Sequence, residues 1–189
     1  MVYTNLDSKE TAKHGLFESS RITSTDVGRL YDVLVQDEYG NNIDVDNGVP
    51  VKVGDFTGSG LQERKATVAG VKDKVAIVGS PAVIKDAFTK AQEQAYNFYI
   101  PAGTLAKAYQ VTAETEDIFG VAKYQFTNSR DTDIAVGAYV VTDGTGKWTA
   151  QADAPDASAN AFIGKIHSVS VGTYYTIVRI LVLQNKDIA

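Results

Sequence analysis

The chain has 189 residues and a mass of 20.3 kDa, and 44% of its residues are apolar, which excludes disorder throughout and allows a buried core. Eighteen basic against 23 acidic residues leave a net charge of −5, which argues against nucleic acid as a partner, because neutralising phosphates takes a cationic stripe. With no cysteine, disulfides, thiol nucleophiles and thiolate metal sites are excluded.

The opening residues, Met1 to Glu10, lack the basic-then-apolar order of a secretion signal. The most apolar run, Tyr174 to Leu183, is interrupted by Arg179 and reaches about half of the ~20 residues that span a bilayer. The expectation is a product made in the cytoplasm with no membrane partner. Residues 1–29 are rich in Ser, Thr, Lys and Glu, with four positive and four negative charges and isolated apolar residues at Leu6, Leu16, Phe17 and Ile22. Such a segment reads as an extended polar arm, frayed in solution or ordered on a neighbour.

From residue 30 to 189 the pattern is short strands between turn residues, a β-rich body with two sub-lobes at about 30–80 and 100–189. Leu30 to Val35 ends in the turn cluster Asp37 to Asn42. Ile43 and Val45 alternate with Asp44 and Asp46, and Asn47-Gly48 predicts a two-residue hairpin into Val49 to Val53. Val75 to Val78 reads as a buried strand. Ser80 as N-cap and Pro81 at the first helical position predict a short helix over 81–95. Further strands are expected at Thr104–Val111 and Ile118–Phe126, the latter with Ile118, Gly120, Ala122, Tyr124 and Phe126 on one face. Asp143-Gly144-Thr145-Gly146 predicts the loop of a hairpin, and two long strands are expected around Gly172. The run 173–183 is apolar on both faces, as in a central strand. The fold class is mainly β: an antiparallel β-sandwich or β-barrel-like body, at most one short helix, and the arm.

Groups able to do chemistry are sparse. His14 lies in the arm and His167 in a strand, and no Gly-x-Ser-x-Gly elbow is present. Asn42, Asp44 and Asp46 copy the start of a calcium loop, but the glycine is displaced to Gly48 and Val53 stands where the bidentate Glu is needed. Glu114, Glu116 and Asp117 sit together in a turn with no aromatic platform. No catalytic residue, metal site or cofactor is therefore expected. The cluster Tyr96, Phe98 and Tyr99 suits an inter-subunit aromatic seam. A carbohydrate-binding module using Tyr96, Tyr99 or Trp148 is the alternative. Charge alternates in blocks, net −4 over 36–55, +3 over 61–107 and −3 over 108–133, a pattern suited to docking on a charged protein or on copies of itself.

One ordered series of segments stands out: Val51-Lys52-Val53-Gly54-Asp55, Val75 to Pro81, Asn97 to Tyr109, Asp117 to Val121, Val136 to Val140, and Phe162-Ile163-Gly164-Lys165-Ile166. The series resembles small head proteins of tailed bacteriophages, of the kind encoded beside the major capsid protein in phages of Gram-positive hosts. It covers about residues 45–185 and leaves the arm outside. The resemblance implies a capsid decoration (cement) protein on the virion exterior, with the major capsid protein as partner, a homo-oligomer with a trimer favoured, and no catalytic residues. On that reading Leu6, Leu16, Phe17 and Ile22 are the residues expected to order on the capsid.

Overall fold

The computed structural model describes residues 14–22, 29–59, 62–81, 98–128, 133–172 and 175–188. Eleven strands are present among them: β1 (Phe17–Arg21), β2 (Leu30–Gln36), β3 (Pro50–Phe56), β4 (Arg64–Val68), β5 (Ala76–Val78), β6 (Ala106–Gln110), β7 (Ile118–Ala122), β8 (Tyr139–Thr142), β9 (Trp148–Gln151), β10 (Phe162–Val171) and β11 (Thr176–Asn185). The chain is mainly β, as its alternating patterns predict. The predicted helix at 81–95 lies, apart from Pro81, outside the described residues.

Five strands close a barrel in the order β2-β4-β3-β5-β6, with β6 returning to β2. Its neighbours are antiparallel except β2 and β4, which run parallel from Val33↔Arg64 to Gln36↔Thr67. A five-stranded barrel is narrow, so its inward positions must be small. Val33, Val35, Val51 and Val78 fill it together with Ala66, Ala76, Ala106 and Ala108.

The second layer is a six-stranded antiparallel sheet in the order β1-β7-β11-β10-β8-β9. One face packs on the barrel wall formed by β5 and β6. Period-two alternation explains the division: Ala76 and Val78 point into the barrel, while Ile77 between them joins the core shared with the sheet. That shared core holds a chain of aromatic rings. Phe119 lies 5.5 Å from Trp148 and 6.1 Å from Phe162, and Phe17 lies 5.1 Å from Tyr109.

Polar side chains stitch the two layers together. Asn47 is first fixed within the barrel layer, receiving the Ser80 amide on Oδ1 (2.8 Å) and donating Nδ2 to the Ser80 carbonyl (2.9 Å). Buried Gln125 accepts the Ala122 amide at 3.0 Å and donates to the Asn47 carbonyl, while Trp148 Nε1 donates to the Gly48 carbonyl at 3.0 Å. Asn185 binds the Val75 amide and the Val75 and Val111 carbonyls. Gly48 must be glycine twice over: its φ is +85°, and a Cβ would stand 2.5 Å from Gln125 Nε2.

Several expectations are corrected by these contacts. Asn47-Gly48 is the inter-layer joint, not a hairpin loop; Val45 bridges Ile100 instead of the strand that follows. β7 stops at Ala122, where a 3-10 turn, Lys123–Gln125, redirects the chain and the Gln125 side chain accepts the Ala122 amide. Phe119 and Val121, not Ile118, Gly120 and Ala122, therefore face the shared core, and Phe126, beyond the 3-10 turn, joins it. The boundary between lobes falls near Val111, since β6 completes the barrel. The β8–β9 hairpin, the β10–β11 pair and the interior place of β11 are as the sequence predicts.

Candidate interaction surface

The proposed arm is in part not an arm. β1 pairs with β7 from Phe17↔Val121 to Arg21↔Ile118. Leu16 and Ile22 are buried, and Phe17 packs on the shared core. Phe17 lies so close over Gly79 that a Cβ there would sit 2.1 Å from its ring. Burying such side chains stabilises the fold by about 1.5–3 kcal/mol each, so Leu16, Phe17 and Ile22 are committed to this chain's own core. Residues 14–22, ahead of the expected boundary at 30, are therefore part of the described body. Residues 1–13, with Leu6, lie outside the described residues.

A three-strand register explains how β1 is held on its outer face. Glu18, Gly120 and Arg179 stand in line across β1, β7 and β11. Arg179 Nε and Nη2 each lie 2.9 Å from Glu18 Oε2. The ion pair crosses directly over Gly120, where a Cβ would meet Glu18 Oε2 at 2.9 Å. Arg179 also donates to Ser170 Oγ at 2.6 Å, joining β10 to the same group.

Of the proposed aromatic seam, Phe98 is half-buried against the barrel core and Tyr99 is 41% exposed; Tyr96 lies outside the described residues. Trp148 is fully buried, so it offers no face to a glycan. Tyr99 stacks on His14 with ring centroids 5.0 Å apart, and His14 Nδ1 lies 2.9 Å from Asp46 Oδ1. The residues of the calcium-like pattern turn to separate partners: Asn42 to Gln36, Asp44 to the Ala102 amide, Asp46 to His14. Asp117 is buried and accepts the Thr112 amide and the Thr115 hydroxyl, closing its turn, while Glu114 and Glu116 are exposed. His167 is exposed at a β-bulge in β10. No helix among the described residues is long and apolar enough to cross a membrane.

The feature that sequence reading missed is the distal half of the β10–β11 hairpin. β8 accompanies β10 only as far as the Ile166 amide and carbonyl, which bond Ala138 and Gly137. Beyond the bulge at His167, residues 167–171 have no described strand on their outer edge. Val171 is 83% exposed at the tip, Tyr175 stands exposed just before β11, and Val136 before β8 is 67% exposed. Register places these at one end of the sheet, since Phe17↔Val121↔Val178↔Val169 form one row and β1 and β11 both begin there. That end thus combines an open strand edge, apolar side chains in water, and the start of β1.

Ionisable groups elsewhere serve turns. For Asp143, burial opposes ionisation, but hydrogen bonds from the Thr127 and Thr145 hydroxyls and the Thr145 and Lys147 amides together hold its carboxyl below the ordinary value of 3.8. Asp73 behaves alike: burial is outweighed by Lys52, 2.7 Å away, and the Gly70 amide. Burial, and then the charge of Asp46, push the Tyr124 phenol far above its usual value.

No protein-family model, curated protein or solved structure matches the chain.

Proposed function

We propose that the chain is a structural virion protein that binds the outer surface of a phage capsid and stabilises it across capsomer junctions. The observation that carries this reading is the end of the six-stranded sheet where the open edge of residues 167–171 meets exposed Val136, Val171 and Tyr175. An unpaired edge offers amides and carbonyls to an added strand. Apolar tips beside it supply the central burial that a standard interface of roughly 800 Å² per partner needs. The ordered series of segments described above supplies the identity of the partner, the major capsid protein, and a symmetric homo-oligomer, a trimer, as the decorating unit.

The test is co-sedimentation with expanded, empty phage capsids. Val171→Lys with Tyr175→Lys is expected to abolish attachment while the melting temperature stays unchanged. Full occupancy by that variant contradicts the reading.

A further inference from the structure

Between the barrel and the β8–β9 loop lies an open cleft of about 490 Å³, lined by His14, Asp44, Asp46, Tyr99 and Lys147 over a floor that includes Val49 and Val68. We propose that this cleft binds a neutral saccharide unit, a role beyond capsid attachment.

Three observations carry it. First, the volume is that of a small-molecule site. Second, the cleft has an aromatic platform already fixed in place. His14, which also lines the cleft, stacks on Tyr99 at 5.0 Å and is itself held by Asp46 at 2.9 Å, so less ordering of the ring is left to ligand binding. A tyrosine face gives the C–H side of a pyranose an apolar surface, and its hydroxyl remains a polar handle. Third, the rim carries open groups of both kinds. Asp44 uses Oδ1 on the Ala102 amide and Asp46 uses Oδ1 on His14, which leaves the second oxygen of each carboxylate without a partner among the described residues. Lys147 Nζ likewise has none among them. Acceptors on one rim and a donor on the other fit hydroxyl groups, each of which donates and accepts. The same mixture disfavours ions: a cation meets Lys147, and an anion meets two carboxylates.

The experiment is saturation-transfer NMR on the full chain with hexoses, N-acetylhexosamines and their disaccharides at millimolar concentration, with spermidine and citrate as charged controls. At least one neutral sugar is expected to bind. Its affinity should fall about tenfold or more in Tyr99→Ala, the size of one lost aromatic contact. Lys147→Ala, on an exposed loop, should weaken it in a protein of unchanged melting temperature, and Tyr175→Ala should leave it unaltered. Binding of no neutral sugar, preference for either charged control, or affinity unchanged in both Tyr99→Ala and Lys147→Ala overturns the proposal. Capsid co-sedimentation of the same variants is expected to be normal, which separates this site from the docking end.

Discussion

Tyr124 shows how one atom can work against a fold. Its ring packs on the small cluster of Leu16, Ala122 and Ile177, yet its hydroxyl is sealed from water with no hydrogen-bond partner among the described residues. A buried unsatisfied hydroxyl costs about 1–3 kcal/mol. Tyr124→Phe keeps the ring and deletes the unpaired group, so it should stabilise the protein by about 1 kcal/mol and raise the melting temperature by about 2–4 °C; a lower melting temperature contradicts the assignment. Asp143 acts in the opposite sense. Its folded pKa is depressed, so the unfolded chain takes up the proton more readily, and the stabilisation is present above the ordinary 3.8 and lost as pH falls through the folded value. Asp143→Asn should cost about 1 kcal/mol at neutral pH, allowing for solvent around a partly exposed group. In denaturant titrations the deficit should shrink below about pH 4; a deficit independent of pH contradicts the charge argument.

At the scale of elements, β1 belongs to the body. Removing residues 1–13 leaves β1, Phe17 and the Glu18–Arg179 pair in place, so that truncation should fold with a near-native melting temperature. Removing residues 1–22 strips a strand and the Phe17 ring from the shared core, and should lower stability by several kcal/mol or prevent folding. Thermal melts of the two proteins check this; equal melts contradict the packing of β1. The polar composition of residues 1–29 concealed the strand because an edge strand with one inward face needs only Phe17, with Leu16 and Ile22 just outside its ends, to be apolar. Turn chemistry, by contrast, was legible wherever the contacts were local. Asp143-Gly144-Thr145-Gly146 gave away the β8–β9 hairpin because Asp143 caps its own loop. Asn47-Gly48 misled because its partners, Ser80 and Gln125, stand 33 and 78 residues away, and no local pattern encodes them. Tyr99 was visible as a candidate, but its pairing with His14 and Asp46 joins residues from three separate segments. The open edge at 167–171 follows from β8 being short, which only the pairing reveals.

For the whole molecule, a narrow barrel and a six-stranded sheet share one aromatic core and are stitched by Asn47, Gln125 and Asn185. The pair presents an open strand edge with exposed Val136, Val171 and Tyr175 at one end, and a cleft between the barrel and the β8–β9 loop. On the proposed function, many weakly bound copies on a symmetric shell would add their effects, so modest burial per copy would be enough. Electron cryomicroscopy of empty capsids mixed with the protein tests this account most directly. It predicts density on the outer surface at capsomer junctions, with the β10–β11 tip, Val171 and Tyr175, against the shell. Capsids left bare, or copies attached with that tip pointing into solvent, would contradict it.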